Sequence, residues 1–118
     1  MKYLKKRKQA FKYAGLGIAK LFREEAHAKI HLLAALCVIV VGFIVGLNAT
    51  EWCLCALCIG AVFTAEGFNT AIEKLADRVT RENDPLIATA KDVAAGAVLL
   101  SVIAAVAVGL IIFLPKIF

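Results

Sequence analysis

A stripe of polar residues interrupts an apolar part of the sequence. Its members are Glu66, Asn69, Thr70, Glu73 and Asp77. In an α-helix, which rotates by about 100° per residue, all five side chains fall within an arc of roughly 100°. Carboxylates gathered on one helix face can take a proton from a substrate or bind a divalent cation.

Glu66 is the most informative residue of the stripe because it lies farthest into the apolar sequence. It precedes Asp77 by a distance of about 16 Å along a helix axis. If Asp77 marks a membrane surface, Glu66 lies inside the hydrocarbon, where an acidic residue costs about 2.5–3.5 kcal/mol on insertion scales. The solvated end of a long helix explains Asp77 adequately and Glu73 acceptably, but it does not explain Glu66. We therefore expect Glu66, Asn69 and Glu73 to belong to a functional site.

Two further charged clusters come directly before apolar segments. One contains Glu24 and Glu25, and the other contains Lys91 and Asp92. Mg²⁺ binds one or two carboxylates together with phosphate oxygens, and a lysine neutralises phosphate charge. The Lys91–Asp92 pair alone is better explained as a charge pair at a helix start. Together, however, the clusters indicate metal–nucleotide chemistry, and without a glycine-rich phosphate loop the site must be assembled from helix ends.

Composition defines the setting of these residues. The chain has 118 residues, of which 62% are hydrophobic and 19% charged, whereas soluble domains are about 45–50% apolar and about 25% charged. A soluble enzyme of this length could not bury so much apolar surface. We therefore expect an all-α integral membrane protein in which residues 1–118 form a single membrane domain.

The chain divides into an amphipathic segment and three apolar ones. The amphipathic segment is expected to lie on the membrane surface, and the apolar ones are long enough to cross a bilayer. Asp84 and Pro85 have the residue types of a helix N-cap and first helical position. The expected segments are a surface helix over 1–28, and transmembrane helices over 30–47, 52–72 (with a cytoplasmic extension to about 80) and 93–114.

Basic residues predict the orientation in the membrane. Nine of the fourteen Lys and Arg residues lie within the first 31 positions. The positive-inside rule then places the N-terminus and the link between the second and third transmembrane helices in the cytoplasm. The same charges suit anionic lipid, whereas nucleic acid is a poor partner for a chain with membrane spans.

Two motif blocks resemble the prokaryotic diacylglycerol kinase family, which includes the undecaprenol kinases. They are Glu66-x-x-Asn69-Thr-Ala-Ile-Glu73-x-x-x-Asp77 and the segment that begins Ala90-Lys91-Asp92. The resemblance extends over nearly the whole chain, from Phe11 to Phe118. It implies three transmembrane helices plus a surface helix, a homotrimer with sites between subunits, and a bacterial cell membrane location. The activity implied is transfer of the ATP γ-phosphate to a lipid hydroxyl.

The resemblance also implies roles for individual residues. Glu66 would be the general base for the lipid alcohol with Asn69 beside it, and Glu25 and Glu73 would bind Mg²⁺. Residues 30–31 and 85–92 look more like the undecaprenol kinase branch, although diacylglycerol remains an alternative substrate. Besides the two metal ligands, the residues around the nucleotide would be Tyr13, Asp77, Glu82, Asn83, Asp84, Lys91 and Asp92.

One alternative function is a non-enzymatic membrane protein, such as a proton-coupled transporter that uses Glu66. The lysine at position 91 favours the kinase, since a proton-coupled carrier needs no phosphate-binding lysine. His27 and His31 are spaced by one helical turn, and we expect them to pack at the interface or contact lipid headgroups. The four cysteines are expected to act as small apolar side chains.

Overall fold

The computed structural model describes all 118 residues and contains only α-helices as regular structure. Three of the four helices are long and apolar enough to cross a membrane, which confirms the expected all-α architecture with three candidate spans. The helices are α1 (Lys2–Glu24), α2 (Ala26–Val45), α3 (Ala49–Val79) and α4 (Pro85–Ile117).

Local backbone conformation sets where the first two helices end. Helix α1 ends before residue 28 because Glu25 is extended, with φ −100° and ψ 118°. Helix α2 then begins at Ala26, earlier than the expected residue 30, and ends at Val45. Gly46 follows with φ 75°, a left-handed conformation that favours glycine. The Gly46 and Leu47 amides both donate to the Gly42 carbonyl, as in a helix-terminating turn.

Side-chain caps set the starts of the two long helices. Asn48 accepts a hydrogen bond from the Glu51 amide at 2.9 Å, and Glu51 accepts one from the Asn48 amide at 3.0 Å. This reciprocal cap begins α3 at Ala49 instead of residue 52. Asp84 caps α4 through two backbone amides, and Pro85 occupies the first helical position. The expected N-cap is thus confirmed, and α4 begins eight residues before the expected span at 93.

Helices α3 and α4 are antiparallel, with an ion pair near each end. Lys91 contacts Asp77 where the link joins the two helices, and Lys116 lies 3.0 Å from Glu51 at the opposite end. We call the end that contains the α1–α2 and α3–α4 links the arm end, and the opposite end the far end. The two pairs fix the lengthwise register of α3 against α4.

Very little of the chain is buried within itself. Only ten of 118 residues are buried, and large apolar side chains such as Leu100 and Ile111 are at least 70% exposed. The small core near the far end is formed by Leu47, Cys55 and Ile112. All four cysteines are free. The bundle therefore presents apolar surface outward, as suits contact with lipid or with further copies of the chain.

The tight contact of Gly42 on α2 with Trp52 on α3 predicts the effect of a methyl group at Gly42. A Cβ there would lie 2.7 Å from the Trp52 ring, which also packs against Phe43. We expect Gly42→Ala to destabilise the protein by about 1–3 kcal/mol through overpacking, and to shift the fluorescence of Trp52, the single tryptophan. Thermal unfolding and emission spectra in detergent micelles measure both effects. Gly15→Ala is the control because a Cβ at Gly15 meets nothing within 4 Å; equal spectra and stabilities would contradict the packing account.

The charge on Glu51, which lies outside the expected 52–72 membrane segment, predicts a pH-dependent stability. The Asn48 backbone hydrogen bond, followed by Lys116, holds the pKa of the Glu51 carboxyl below its ordinary value. The ionised Glu51 carboxylate therefore stabilises the folded state above about pH 5. This stabilisation is lost as the pH falls through the lowered folded-state pKa of Glu51. Because glutamine can still cap the helix, Glu51→Gln removes only the charge. We expect Glu51→Gln to melt below wild type at pH 7, with the difference disappearing in acid; a pH-independent difference would argue against this origin.

Candidate functional site

The polar stripe lies on α3, and Glu66 is its buried member. Glu66 is 4% exposed and is the one buried charged residue of the chain. Asn69, Thr70 and Glu73 are partly buried, and Asp77 follows one turn later toward the arm end. The stripe therefore leads from a buried carboxylate to a solvated charged surface, as the helical spacing predicted.

His31 of α2 faces Glu66. Its Nε2 atom lies 3.0 Å from Glu66 Oε1, which is a hydrogen-bond distance. This corrects the interpretation of His31 as an interfacial or headgroup-contacting side chain, whereas His27 is exposed and has no side-chain hydrogen bond. A sequence signal existed, since a polar residue inside each of two apolar segments is stabilised by a partner.

Asn69 adds a polar group with unused hydrogen-bonding capacity. Its Nδ2 atom donates to Glu73 Oε1 at 3.4 Å, while its Oδ1 atom is buried and has no partner. Leaving a buried acceptor unsatisfied costs about 1–3 kcal/mol. The site next to Glu66 therefore contains an acceptor for a hydroxyl or another donor.

Positive charge collects at the arm end of the stripe. Lys74, Arg78 and Arg81 line an open polar pocket together with Asp77, and Lys74 also lies 3.2 Å from Glu24 of α1. The sequence motifs did not identify these cations as site residues. Lys74 and Arg78 lie on α3 near Asp77, and Arg81 lies just beyond the end of that helix. Such a pocket suits a polyanion such as a nucleotide phosphate.

Lys91 belongs to the same charged surface. Its Nζ atom contacts Asp77 Oδ1, and the Lys91 hydrogen bond holds the pKa of the Asp77 carboxyl below its ordinary value. Asp77 lies outside the expected 52–72 membrane segment. The structure thus brings Asp77 and Lys91 together from α3 and α4, as the resemblance implied for two residues of one site.

Several expected nucleotide residues are not brought together within one chain. Tyr13 is 68% exposed on α1, and Asp84 is occupied as the cap of α4. Among the expected nucleotide residues, those whose side chains make no hydrogen bond or ion pair within the chain are Tyr13, Glu82, Asn83 and Asp92.

Glu25 and Glu73 are the candidate metal ligands. Glu25 lies in the break between α1 and α2, and the neighbouring Glu24–Lys74 contact ties that break to α3. No three metal-binding side chains cluster within one chain. Two carboxylates nevertheless fit Mg²⁺ bound to a nucleotide, because phosphate oxygens and waters complete its coordination.

An apolar cavity of about 140 Å³ lies beside the buried site. It is a partly open cavity bordered by α2, α3 and α4, and His31 lies on its edge. Its other lining residues include Ala35, Val62, Phe63 and Val108. The surroundings of the His31–Glu66 pair are therefore largely apolar.

Comparison with known proteins identifies the family. Residues 12–113 match the sequence profile described as "Prokaryotic diacylglycerol kinase". The chain belongs to the prokaryotic diacylglycerol kinase family. It is 43% identical over 108 residues to the undecaprenol kinase of Bacillus subtilis, covering 92% of this chain and 88% of that protein. It is 37% identical over 107 residues to the diacylglycerol kinase of Synechocystis, covering 90% of this chain and 61% of that protein.

Family membership confirms the resemblance seen in the two motif blocks. It identifies the chain as a lipid kinase, and therefore an enzyme of the transferase class. It also decides against the non-enzymatic alternative for the chain as a whole. The buried carboxylate and the cationic surface are thus parts of a kinase.

The two lysine pairs between α3 and α4 predict different effects on activity. Lys91→Met should raise the KM for ATP about 10- to 100-fold. The reason is that a hydrogen bond from Lys91 to an ATP phosphate would contribute about 1.5–3 kcal/mol. Lys116→Met, which removes the equivalent far-end pair with Glu51, should lower stability but leave that KM unchanged. Steady-state kinetics with varied ATP measures the contrast. Equal KM values in both variants would show that Lys91 serves only helix packing.

Proposed function

We propose that this protein transfers the γ-phosphate of ATP to the hydroxyl of a membrane lipid alcohol, giving undecaprenyl phosphate or phosphatidic acid. The single observation that supports it most is the buried Glu66 carboxylate on the same face of α3 as Asp77, which borders a pocket lined by cations. Phosphoryl transfer requires a positioned nucleophile and neutralised phosphate charge. The polar stripe of α3 leads from a carboxylate that can activate the nucleophile to a pocket that can neutralise phosphate charge.

Glu66 is proposed as the general base. Its carboxylate takes the proton of the lipid hydroxyl while the hydroxyl oxygen bonds to the γ-phosphorus and the bond to the bridging oxygen of ADP breaks. Asn69 supplies an acceptor at the same level, because its Oδ1 atom is buried and unpartnered. The lipid chain stays in the bilayer while only its hydroxyl reaches the site.

The arm end is proposed as the nucleotide site. Lys91, Lys74, Arg78 and Arg81 provide positive charge around Asp77. Glu25 and Glu73 would hold Mg²⁺, which when bound neutralises phosphate charge. The remaining proposed nucleotide contacts are Tyr13, Glu82, Asn83, Asp84 and Asp92.

The proposed assembly is a homotrimer with sites between subunits. In one chain the expected metal ligands do not form a complete cluster, and Tyr13 and Asp92 have no partner. A neighbouring subunit would bring its arm to this surface and cover apolar helix faces that one chain leaves exposed.

The proposed location is a bacterial cell membrane with the arm end in the cytoplasm. Helix α1 would lie on the membrane surface, where its basic residues meet anionic lipid. The α3–α4 link would lie on the same side, as the positive-inside rule requires. ATP is then available to the charged end of the stripe.

Undecaprenol is the proposed preferred substrate. The undecaprenol kinase relative is more similar to this chain than the diacylglycerol kinase relative, at 43% against 37% identity. Residues 30–31 and 85–92 favour the same branch. Diacylglycerol presents the same chemical group and is the second candidate.

Lipid phosphorylation by purified protein in mixed micelles tests the function. We expect Mg-ATP-dependent phosphorylation with higher kcat/KM for undecaprenol than for diacylglycerol. Glu66→Gln should lower turnover about 10²- to 10⁴-fold, the usual contribution of a general base, while ATP still binds. Glu51→Gln, which removes a charge from the other end of α3, should retain turnover.

Two outcomes would contradict this proposal. Near wild-type turnover in Glu66→Gln would remove Glu66 from the role of base. Transport of a solute coupled to protons, without any phosphorylated lipid, would support the transporter instead. Higher kcat/KM for diacylglycerol would overturn only the substrate preference.

A further inference from the structure

The Glu66 carboxylate has one polar side chain within hydrogen-bond distance. Its side chain is 6% exposed, and His31 Nε2 lies 3.0 Å from its Oε1 atom. The neighbouring cavity is lined mainly by apolar side chains. Asn69 donates to Glu73 and not to Glu66. The orientation of the carboxylate therefore depends on His31 more than on any other polar group of the chain.

A general base must be held in a narrow range of positions. A glutamate side chain has three rotatable bonds, and a misplacement of about 1 Å can cost about 100-fold in rate. We infer that His31 is a positioning residue for Glu66: its Nε2 contacts Oε1 at 3.0 Å and leaves Oε2 directed to the lipid hydroxyl. This inference rests on the proposed role of Glu66 as base.

The contact also defines which atom carries the hydrogen. Nε2 must carry it, because Oε1 of an ionised carboxylate can only accept a hydrogen bond. When the lipid oxygen bonds to the γ-phosphorus, its proton passes to Oε2 and the electron pair of the broken P–O bond leaves with ADP. His31 neither gains nor loses a proton in this step.

The location of His31 allows a positioning role to be distinguished from a space-filling role by substitution. It is on α2, whereas Glu66 is on α3, so the contact crosses a helix interface. A side chain that only fills space there would be replaceable by an apolar one of similar size. A positioning side chain is replaceable only by one that retains a donor at the same place.

The test compares four single variants in lipid phosphorylation. His31→Leu keeps bulk but removes the donor, His31→Gln places an amide donor near the position of Nε2, and His31→Asn has a donor too short to reach it. His27→Leu is the matched control, since this histidine is exposed on the same helix one turn earlier. Far-UV circular dichroism and Trp52 emission verify folding.

We expect removal of the His31 donor to lower kcat, and a substitute donor at the same place to restore it. His31→Leu and His31→Asn should lower kcat about 10- to 100-fold with little change in the KM for ATP. His31→Gln should recover most of the loss, and His27→Leu should match wild type. If His31→Leu does not fold, the comparison of His31→Gln with His31→Asn carries the test.

A double variant separates this inference from the function on which it rests. Adding His31→Leu to Glu66→Gln should cause no further loss, because the residue to be positioned is already gone. Wild-type kcat in His31→Leu, or equal kcat in His31→Gln and His31→Asn, would overturn the positioning role while an inactive Glu66→Gln still supports the base. An active Glu66→Gln would instead overturn the proposed base itself.

Discussion

A carboxylate inside an apolar helix bundle is the constraint on which this structure depends. Burial of an unpaired ionised group is costly, so Glu66 is accompanied by a polar partner, His31, on the facing helix. The contact requires α2 and α3 to meet at a defined level. The same contact restricts the orientation of the Glu66 carboxylate. A carboxylate in water would have no such restriction. The carboxylate that raises the free energy of inserting α3 into a bilayer is thus the group proposed as the general base.

Register between α3 and α4 determines where the charges lie relative to Glu66. The pair at the arm end, Lys91 with Asp77, and the pair at the far end, Lys116 with Glu51, are separated by most of the helix length. A shift of α4 along α3 would break both contacts. The cationic surface and the buried Glu66 carboxylate are therefore kept at a fixed separation by these two ion pairs.

A single chain leaves its apolar helix faces and several proposed site residues without partners. With ten buried residues of 118, it has too little interior to be stable in water. Its outward apolar faces suit lipid and neighbouring subunits, and its expected nucleotide residues on α1 and in the α3–α4 link lack partners. Neighbouring copies of the chain, as in the proposed homotrimer, would cover the apolar faces and add residues to the site.

The sequence by itself determined the helical class, the apolar spans, the α4 cap at Asp84 and the polar stripe, because these depend on local composition and on helical periodicity. It did not predict that α2 begins at Ala26, since that depends on one extended residue, Glu25. It also did not pair His31 with Glu66. Only the tertiary structure decided that contact, because periodicity orients a residue on its own helix but contains no information about which helix faces it.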